Sequence, residues 1–197
     1  LLGEVPEIKN FFVCCGLNSI GIGSGGGVGK VTAEWMMTGH INQDIFSYDI
    51  KRFQKFHSEL GFIKKRITET LGDLYGMHWP FKQHKTSRNI KTLPYHDNLK
   101  SFGACFGVSA GYERPMWFAL DGEKSEYEYS YNYQNWYPSA EYETNNTIKN
   151  VGLFDLTPFS KFEIKSEKAH GELQKICTAN IKNEIGKCTY THMLNSD

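Results

Sequence analysis

A dense run of glycines near the start of the sequence is the feature with the clearest chemical use. Six of the nine residues from Gly21 to Gly29 are glycine, and the run follows a short apolar stretch at residues 11–15. Apolar residues at helical spacing come next, and Gly39 stands where a glycine commonly ends a helix. This pattern predicts a strand, a glycine turn and a helix, an arrangement that points unpaired backbone N–H groups at a ligand's negative charge.

The same glycines also match known nucleotide-binding patterns. Gly21, Gly23 and Gly26 have the spacing of the dinucleotide fingerprint, but that unit needs a second strand ending in an acidic residue about twenty positions later. Residues 44–75 instead predict a loop and helices. A P-loop is excluded because Val31 follows the lysine where serine or threonine is required. A glycine-rich corner that only packs a helix against a strand remains as the alternative without a ligand.

The charge balance and the cysteine content narrow the choice of partners and compartment. Lysine plus arginine equals aspartate plus glutamate at 22 each, and without a basic excess we expect no nucleic-acid partner. The sequence has no apolar run long enough to span a membrane, so we expect no membrane partner. Five cysteines without a CxxC pair indicate free thiols in a reducing compartment, which favours a cytoplasmic protein.

The middle of the sequence predicts helices followed by an irregular segment. Residues 44–75 carry an apolar stripe at spacings of three and four, and Gly61 predicts either a break between two helices or a kink. Residues 77–97 contain two prolines and three histidines, which lack the helical spacing or the cysteine partners of a metal site. We therefore expect no metal site. The loop histidines are His78, His84 and His96.

The C-terminal half predicts two strand-containing segments around a polar one. Residues 99–119 carry spaced glycines and then an aromatic strand. Residues 121–147 are polar and rich in tyrosine, which predicts a surface excursion. Residues 151–164 predict a strand, a turn at Thr157-Pro158 and a second strand, and a helix follows over residues 167–177.

Five stretches of the sequence resemble, in order, segments of the dimethylglycine and sarcosine dehydrogenase family. Residues 3–39 (GEVPEIKNFFVCCGLNSIGIGSGGGVGKVTAEWMMTG) resemble its last FAD-contacting segment, and residues 42–96 resemble its small central domain. Three further stretches resemble the start of its aminomethyltransferase, or glycine-cleavage T-protein, domain. These are LKSFGACFGVSAGYERPMWFA (99–119), VGLFDLTPFSKFEI (151–164) and CTYTHMLN (188–195).

The resemblance implies a mixed α/β (α+β) fold made of three consecutive pieces. Residues 1–41 would be the C-terminal, flavin-contacting segment of an FAD-dependent oxidoreductase domain, and residues 42–96 the small central domain. Residues 97–197 would be the N-terminal part of an aminomethyltransferase-like, folate-binding domain. The resemblance also implies that this chain is an internal piece of a longer protein.

Two binding surfaces follow from the resemblance. The FAD ring would lie against Ser19, Ile20, Gly21, Ile22 and Gly23. Tetrahydrofolate would contact Phe159, Tyr190 and His192, while a core role for Phe159 and a turn-capping role for Asp155 remain as alternatives. Some members of the family hold a substrate carboxylate with a basic residue where this chain has Gly23, which leaves carboxylate recognition open.

The activity that the resemblance implies is the oxidation of a small-molecule N-methyl amine by FAD, with oxygen or an electron-transfer flavoprotein as the electron acceptor. The iminium carbon would then pass to tetrahydrofolate. The resemblance places the catalytic residues outside this sequence, so none is assigned. In a eukaryote it implies the mitochondrial matrix. The alternative is a catalytically silent relative, similar to the regulatory subunit of pyruvate dehydrogenase phosphatase.

Overall fold

The computed structural model describes residues 1–194. Its contacts separate Leu1–Phe154 from a smaller unit that begins at Asp155. The first unit contains, in order, β1 (Leu2–Glu4), β2 (Phe12–Cys14), α1 (Gly21–Thr38), α2 (Leu60–Tyr75), α3 (His96–Ser101), β3 (Ala104–Ser109), β4 (Tyr112–Phe118) and α4 (Tyr137–Lys149). The second unit contains α5 (Ala169–Ile176). The chain is therefore mixed α/β, as predicted. Within residues 1–194, no helix has the length and apolarity that a bilayer crossing requires.

An N-terminal hairpin anchors one end of α1. β1 and β2 pair antiparallel, with Gly3 opposite Val13, so the strand predicted from the apolar stretch is confirmed as β2. Trp35, near the end of α1, is 5% exposed, and its ring meets that of Phe12 edge to face at 5.7 Å. Gly3 has a φ of 121°, and a Cβ there would lie 2.5 Å from the Trp35 ring. Glycine at this position is what allows β1 to pass so close to the helix.

The glycine run lies inside α1, and the prediction of a glycine turn over residues 21–29 is wrong. The helix begins at Gly21, and the chain turns earlier, where Gly16 and Ser19 have φ values of 71° and 65°. Glycine costs a helix about 1 kcal/mol per residue relative to alanine. This cost does not forbid a helix, and the helical hydrogen bonds continue through the run. The predicted stop is confirmed, since Gly39 is left-handed and its N–H donates to the Trp35 carbonyl at 2.8 Å.

The predicted helical segment over residues 44–75 is helical mainly in its second half. Two short 3-10 turns, Ile50–Arg52 and Lys55–Ser58, come before α2. Gly61 lies in the first turn of α2 and does not separate two helices, because the interruption between the second 3-10 turn and α2 falls at Glu59. After α2 the chain is irregular up to α3, as the prolines predicted.

The β3–β4 hairpin forms the best-buried part of the first unit. Gly107 lies opposite Arg114, and a register shift falls between Cys105 and Phe106. The side chains of Ala104, Cys105, Glu113 and Trp117 are all at most 4% exposed. The surface excursion predicted over residues 121–147 is confirmed in that most of these residues are exposed, and α4 occupies their C-terminal part. A proline at the start of α4 was an available signal for a helix N-terminus.

The second unit is built on α5, which confirms the helix predicted over residues 167–177. The predicted turn at Thr157-Pro158 forms, and the carboxylate of Asp155 accepts a hydrogen bond from the Thr157 N–H at 2.9 Å. The two strands predicted on either side of this turn are absent from the described residues. Backbone pairing in this unit instead joins Cys177 to Met193.

Candidate functional site

The predicted FAD contacts form the approach to α1 and its first turn. Ser19 precedes the helix with a left-handed backbone, Ile20 is the N-cap residue and Gly21 is the first helical residue. The side chain of Ile22 is fully exposed and that of Ile20 is 46% exposed. The structure thus brings Ser19–Gly23 together at one exposed helix end.

This helix end presents backbone donors and partial positive charge. The first N–H to donate along α1 is that of Ser24, which reaches the Ile20 carbonyl at 2.9 Å. Among residues 1–194, the N–H groups of Gly21, Ile22 and Gly23 have no acceptor. The helix dipole adds about half a positive charge at the same place, and no acidic side chain lies in the first turn. The arrangement can therefore stabilise negative charge on a ligand.

Two contacts hold the approach to α1 in position. The Ser19 hydroxyl lies 2.8 Å from the hydroxyl of Tyr75, and the Ile20 N–H donates to the Leu17 carbonyl at 3.1 Å. Because Tyr75 is the last residue of α2, the first contact ties the loop to a second helix. Sequence reasoning missed Tyr75, since the two hydroxyls are 56 residues apart in the chain.

A buried ion pair joins the irregular segment to the β3–β4 hairpin. Glu113 is 2% exposed, and it accepts hydrogen bonds from Arg88 Nε and Nη2 and, at 2.7 Å, from the Asn89 N–H. Arg88 also donates to the Phe106 carbonyl at 3.0 Å. Burial works to raise the pKa of Glu113, but the hydrogen bonds from Arg88 and Asn89 outweigh it and lower this pKa. The pair therefore keeps both groups charged and fixes the hairpin to residues 88–89.

One of the loop histidines lies near two carboxylates. His84 Nδ1 is 3.9 Å from Glu69 Oε1 and 3.8 Å from Asp73 Oδ2, and the three groups are close enough to hold a metal ion. However, Lys82 Nζ lies 2.6 Å from Asp73 Oδ1 and already supplies a cation. Both oxygens of Glu69 already accept hydrogen bonds. We therefore describe the cluster as an ion-pair network, which sequence spacing did not reveal because a helix and a loop supply it.

The predicted folate contacts lie in the second unit and are exposed. Phe159 follows the Thr157-Pro158 turn and is 56% exposed, so it is not a buried core side chain. The rings of Tyr190 and His192 meet edge to face at 5.5 Å, and the His192 carbonyl accepts the Thr178 N–H at 3.0 Å. The structure thus brings Tyr190 and His192 together beside the 177–178 segment. Their folate role stays a prediction.

Comparison with protein families divides the chain into two matched regions. Residues 38–92 match the FAD dependent oxidoreductase central domain. Residues 95–197 match the GCVT N-terminal domain, which covers more than half of the chain. Oxidoreductase and T-protein regions thus occur consecutively in one polypeptide. The chain belongs to the dimethylglycine and sarcosine dehydrogenase family.

Individual relatives match along nearly the whole chain. It is 40% identical over 194 residues to 4-methylaminobutanoate oxidase (formaldehyde-forming) of Paenarthrobacter nicotinovorans. This alignment covers 98% of this chain and 24% of the oxidase. It is 31% identical over 205 residues to the mitochondrial pyruvate dehydrogenase phosphatase regulatory subunit of Mus musculus, covering 99% of this chain and 23% of that protein. It is 30% identical over 222 residues to the mitochondrial sarcosine dehydrogenase of Homo sapiens, covering 99% of this chain and 24% of that protein. The chain thus spans about a quarter of the length of these relatives.

Proposed function

We propose that this chain is part of an FAD-dependent oxidoreductase that oxidises an N-methyl amine and passes the one-carbon unit to tetrahydrofolate. The exposed first turn of α1 carries the proposal, because its three free N–H groups suit an anionic cofactor. Relatives named 4-methylaminobutanoate oxidase, sarcosine dehydrogenase and dimethylglycine dehydrogenase support an N-methyl amine as the substrate class.

In this proposal the residues of the α1 approach hold and polarise the FAD ring. When bound, FAD supplies the hydride-accepting chemistry. Gly21 and Gly23 present backbone without a Cβ, so the helix end can lie directly against a flat ring. The N–H groups of Gly21–Gly23 stabilise negative charge on that ring, and Tyr75 keeps Ser19 in its left-handed conformation.

The folate half of the proposal rests on exposed side chains of the second unit. Phe159 offers an apolar surface, and the paired rings of Tyr190 and His192 offer a second one. Aromatic and apolar contacts of this kind suit the flat pteridine ring of tetrahydrofolate. Oxygen or an electron-transfer flavoprotein would accept the electrons. The compartment would be the cytoplasm or, in a eukaryote, the mitochondrial matrix, as the mitochondrial relatives suggest.

The test of the FAD site is Gly21→Val in the complete polypeptide. A Cβ at Gly21 would meet only the Leu17 Cβ, at 3.7 Å, so the fold itself accommodates it. We expect Gly21→Val to lose bound FAD, because the branched side chain would stand where the ring lies. Gly26→Val is the matched control, since nothing lies within 4 Å of a Cβ there and Gly26 is beyond the first turn. FAD content is read from absorbance and the fold from circular dichroism. Equal FAD content in the two variants would contradict the proposed site.

The second candidate function is a catalytically silent regulatory role, which the match to the phosphatase regulatory subunit favours. Purification of the wild-type protein separates the two candidates. We expect it to contain FAD whose absorbance bleaches when an N-methyl amine is added without oxygen. A folded protein that binds no FAD would support the regulatory role instead.

A further inference from the structure

A cavity of ≈ 600 Å³ lies between the irregular segment that follows α2, helix α3, strand β3 and residues 125–129. This volume is within the range of about 300–1000 Å³ that small-molecule sites occupy. Its wall on the irregular segment belongs to the region that matches the oxidoreductase central domain, and its other walls belong to the region that matches the GCVT N-terminal domain. The cavity therefore lies where the two matched regions meet, and none of the predicted FAD or folate contacts lines it.

Two lysines bring positive charge to this cavity. Lys85 lies on the irregular segment and Lys100 on α3, and both line the cavity. Within residues 1–194, neither ammonium group has an ion-pair partner or a hydrogen-bond acceptor. The guanidinium of Arg88 also lines the cavity, but Glu113 already holds it. Among the described residues of the lining, Glu126 is the one acidic side chain, so the two lysines leave a net positive charge.

Neutral groups of the lining add hydrogen-bond donors. The Tyr129 hydroxyl accepts the Gln83 N–H at 2.8 Å, and Gln83 Oε1 accepts the Val108 N–H at 2.9 Å. These contacts leave the Tyr129 hydroxyl proton and the Gln83 side-chain amide N–H groups without an acceptor among the described residues. Burial raises the pKa of the Cys105 thiol to about 11 and that of Tyr127 to about 12, so neither adds negative charge at pH 7. The lining thus suits a ligand that brings oxygen acceptors.

Aromatic rings form much of the remaining wall. The rings of Tyr127 and Tyr129 are stacked, with centroids 5.6 Å apart and planes within 7° of each other. The ring of His96 lies 4.2 Å from that of Phe106, and all four residues line the cavity. His96 Nδ1 is buried and has no hydrogen-bond partner among the described residues, which is costly and favours a ligand with a polar atom to offer it. Rings of this kind suit a flat heterocycle.

We propose that this cavity binds a nucleoside monophosphate, with its phosphate group at Lys85 and Lys100 and its base against the aromatic rings. A phosphate fits these partners better than a carboxylate does. Carboxylates are held bidentately by the fork of an arginine, and Glu113 already occupies the fork of Arg88, whereas lysine binds phosphate as a point charge. The heteroatoms of a base supply polar partners for groups such as His96 Nδ1. The site does not depend on the proposed oxidation of an N-methyl amine.

The experiment measures the binding of adenosine 5′-monophosphate (AMP) to the complete polypeptide by calorimetry. The comparison ligands are ribose 5-phosphate, which lacks the base, and adenosine, which lacks the phosphate. We expect AMP to bind about 10-fold more tightly than ribose 5-phosphate, the lower end of what one stacked base contributes. It should also bind about 10-fold more tightly than adenosine, because a hydrogen bond to a charged group contributes about that much. A wild type that binds no AMP, or binds it no more tightly than either comparison ligand, would overturn the proposal.

The variants remove one charge at a time. Lys85→Gln and Lys100→Gln should each raise the Kd for AMP about 10-fold and leave the Kd for adenosine unchanged. Lys65→Gln is the matched control, because Lys65 is exposed and does not line the cavity. Circular dichroism checks that each variant is folded. Because FAD contains an AMP group, AMP can also enter an empty FAD site, but binding there would not depend on these two lysines. An equal Kd for AMP in the wild type and in both lysine variants would therefore overturn the proposal.

Competition separates this cavity from a folate site. Saturating tetrahydrofolate should leave the Kd for AMP unchanged, since no predicted folate contact lines the cavity. Displacement of AMP by tetrahydrofolate would overturn the proposal, because the cavity would then belong to the folate. None of these measurements requires amine oxidation, so a failure of the proposed function would not change their outcome.

Discussion

Removal of the Glu113 carboxylate should unfold the hairpin region before the rest of the first unit. In Glu113→Ala, the guanidinium of Arg88 and the Asn89 N–H lose their acceptor. The position is buried, because Glu113 is only 2% exposed in the wild type. Breaking a buried ion pair by removing one partner costs about 3–5 kcal/mol. We expect the lower end, about 3 kcal/mol, because the Arg88 side chain is 24% exposed and water reaches part of it.

The assay is hydrogen–deuterium exchange of residues 104–118 in the complete polypeptide, together with urea unfolding. Glu141→Ala is the control, since Glu141 is exposed on α4 and has no ion-pair partner among the described residues. The double variant Arg88→Met/Glu113→Met should recover most of the lost stability, because it removes both charges at once. If Glu113→Ala exchanges no faster over β3 and β4 than Glu141→Ala, the ion pair does not hold the hairpin and our reasoning is wrong.

Two further predictions concern stability. Although burial works to raise the pKa of Glu69, hydrogen bonds from the Lys85 N–H and from Thr86 lower it to about 2. A carboxyl whose pKa is lower in the folded than in the unfolded protein stabilises the fold at pH values above its unfolded pKa. This contribution should therefore vanish as the pH falls from about 4.5 to about 2. The urea midpoint of unfolding should fall with pH across this range, and Glu69→Gln should make the midpoint depend less on pH. A variant whose midpoint falls with pH as steeply as that of the wild type would refute the prediction. Gly3→Ala should destabilise the fold by about 2–4 kcal/mol, from the clash with Trp35 and a left-handed backbone, whereas Gly26→Ala should stabilise it by about 1 kcal/mol. Equal denaturation midpoints for these two variants would contradict the packing described for β1.

The sequence predicted elements whose signals are local. The apolar stripe of α2, the aromatic residues of β4 and the left-handed stop at Gly39 each depend on residues within one or two turns. The glycine run was misassigned because propensity alone does not reveal that backbone hydrogen bonds continue through it. The strands predicted around Thr157-Pro158 failed for another reason. Strands need a pairing partner, and the described residues supply none there.

The candidate site was predictable in its contiguous part only. Ser19–Gly23 follow one another in the chain, so a resemblance over one segment was enough to name them. Contacts such as Ser19 with Tyr75, or Arg88 with Glu113, join residues that are 56 and 25 positions apart. The cluster of Glu69, Asp73 and His84 likewise draws on a helix and a loop, and no spacing rule in the sequence connects them. Long-range pairing of this kind becomes visible only when the fold is known.

The glycine content of α1 has a consequence for the coupling between ligand binding and folding. Six glycines lower the intrinsic stability of this helix by about 5 kcal/mol relative to alanine, and Trp35 anchors only its far end. The first three turns therefore contribute little to their own order. A ligand that binds the free N–H groups must supply the missing free energy, so its affinity and the helicity of residues 21–29 rise and fall together. The order of the α1 N-terminus would then report how much of the site is occupied, because amide exchange across the glycines would slow as the fraction of bound ligand rises.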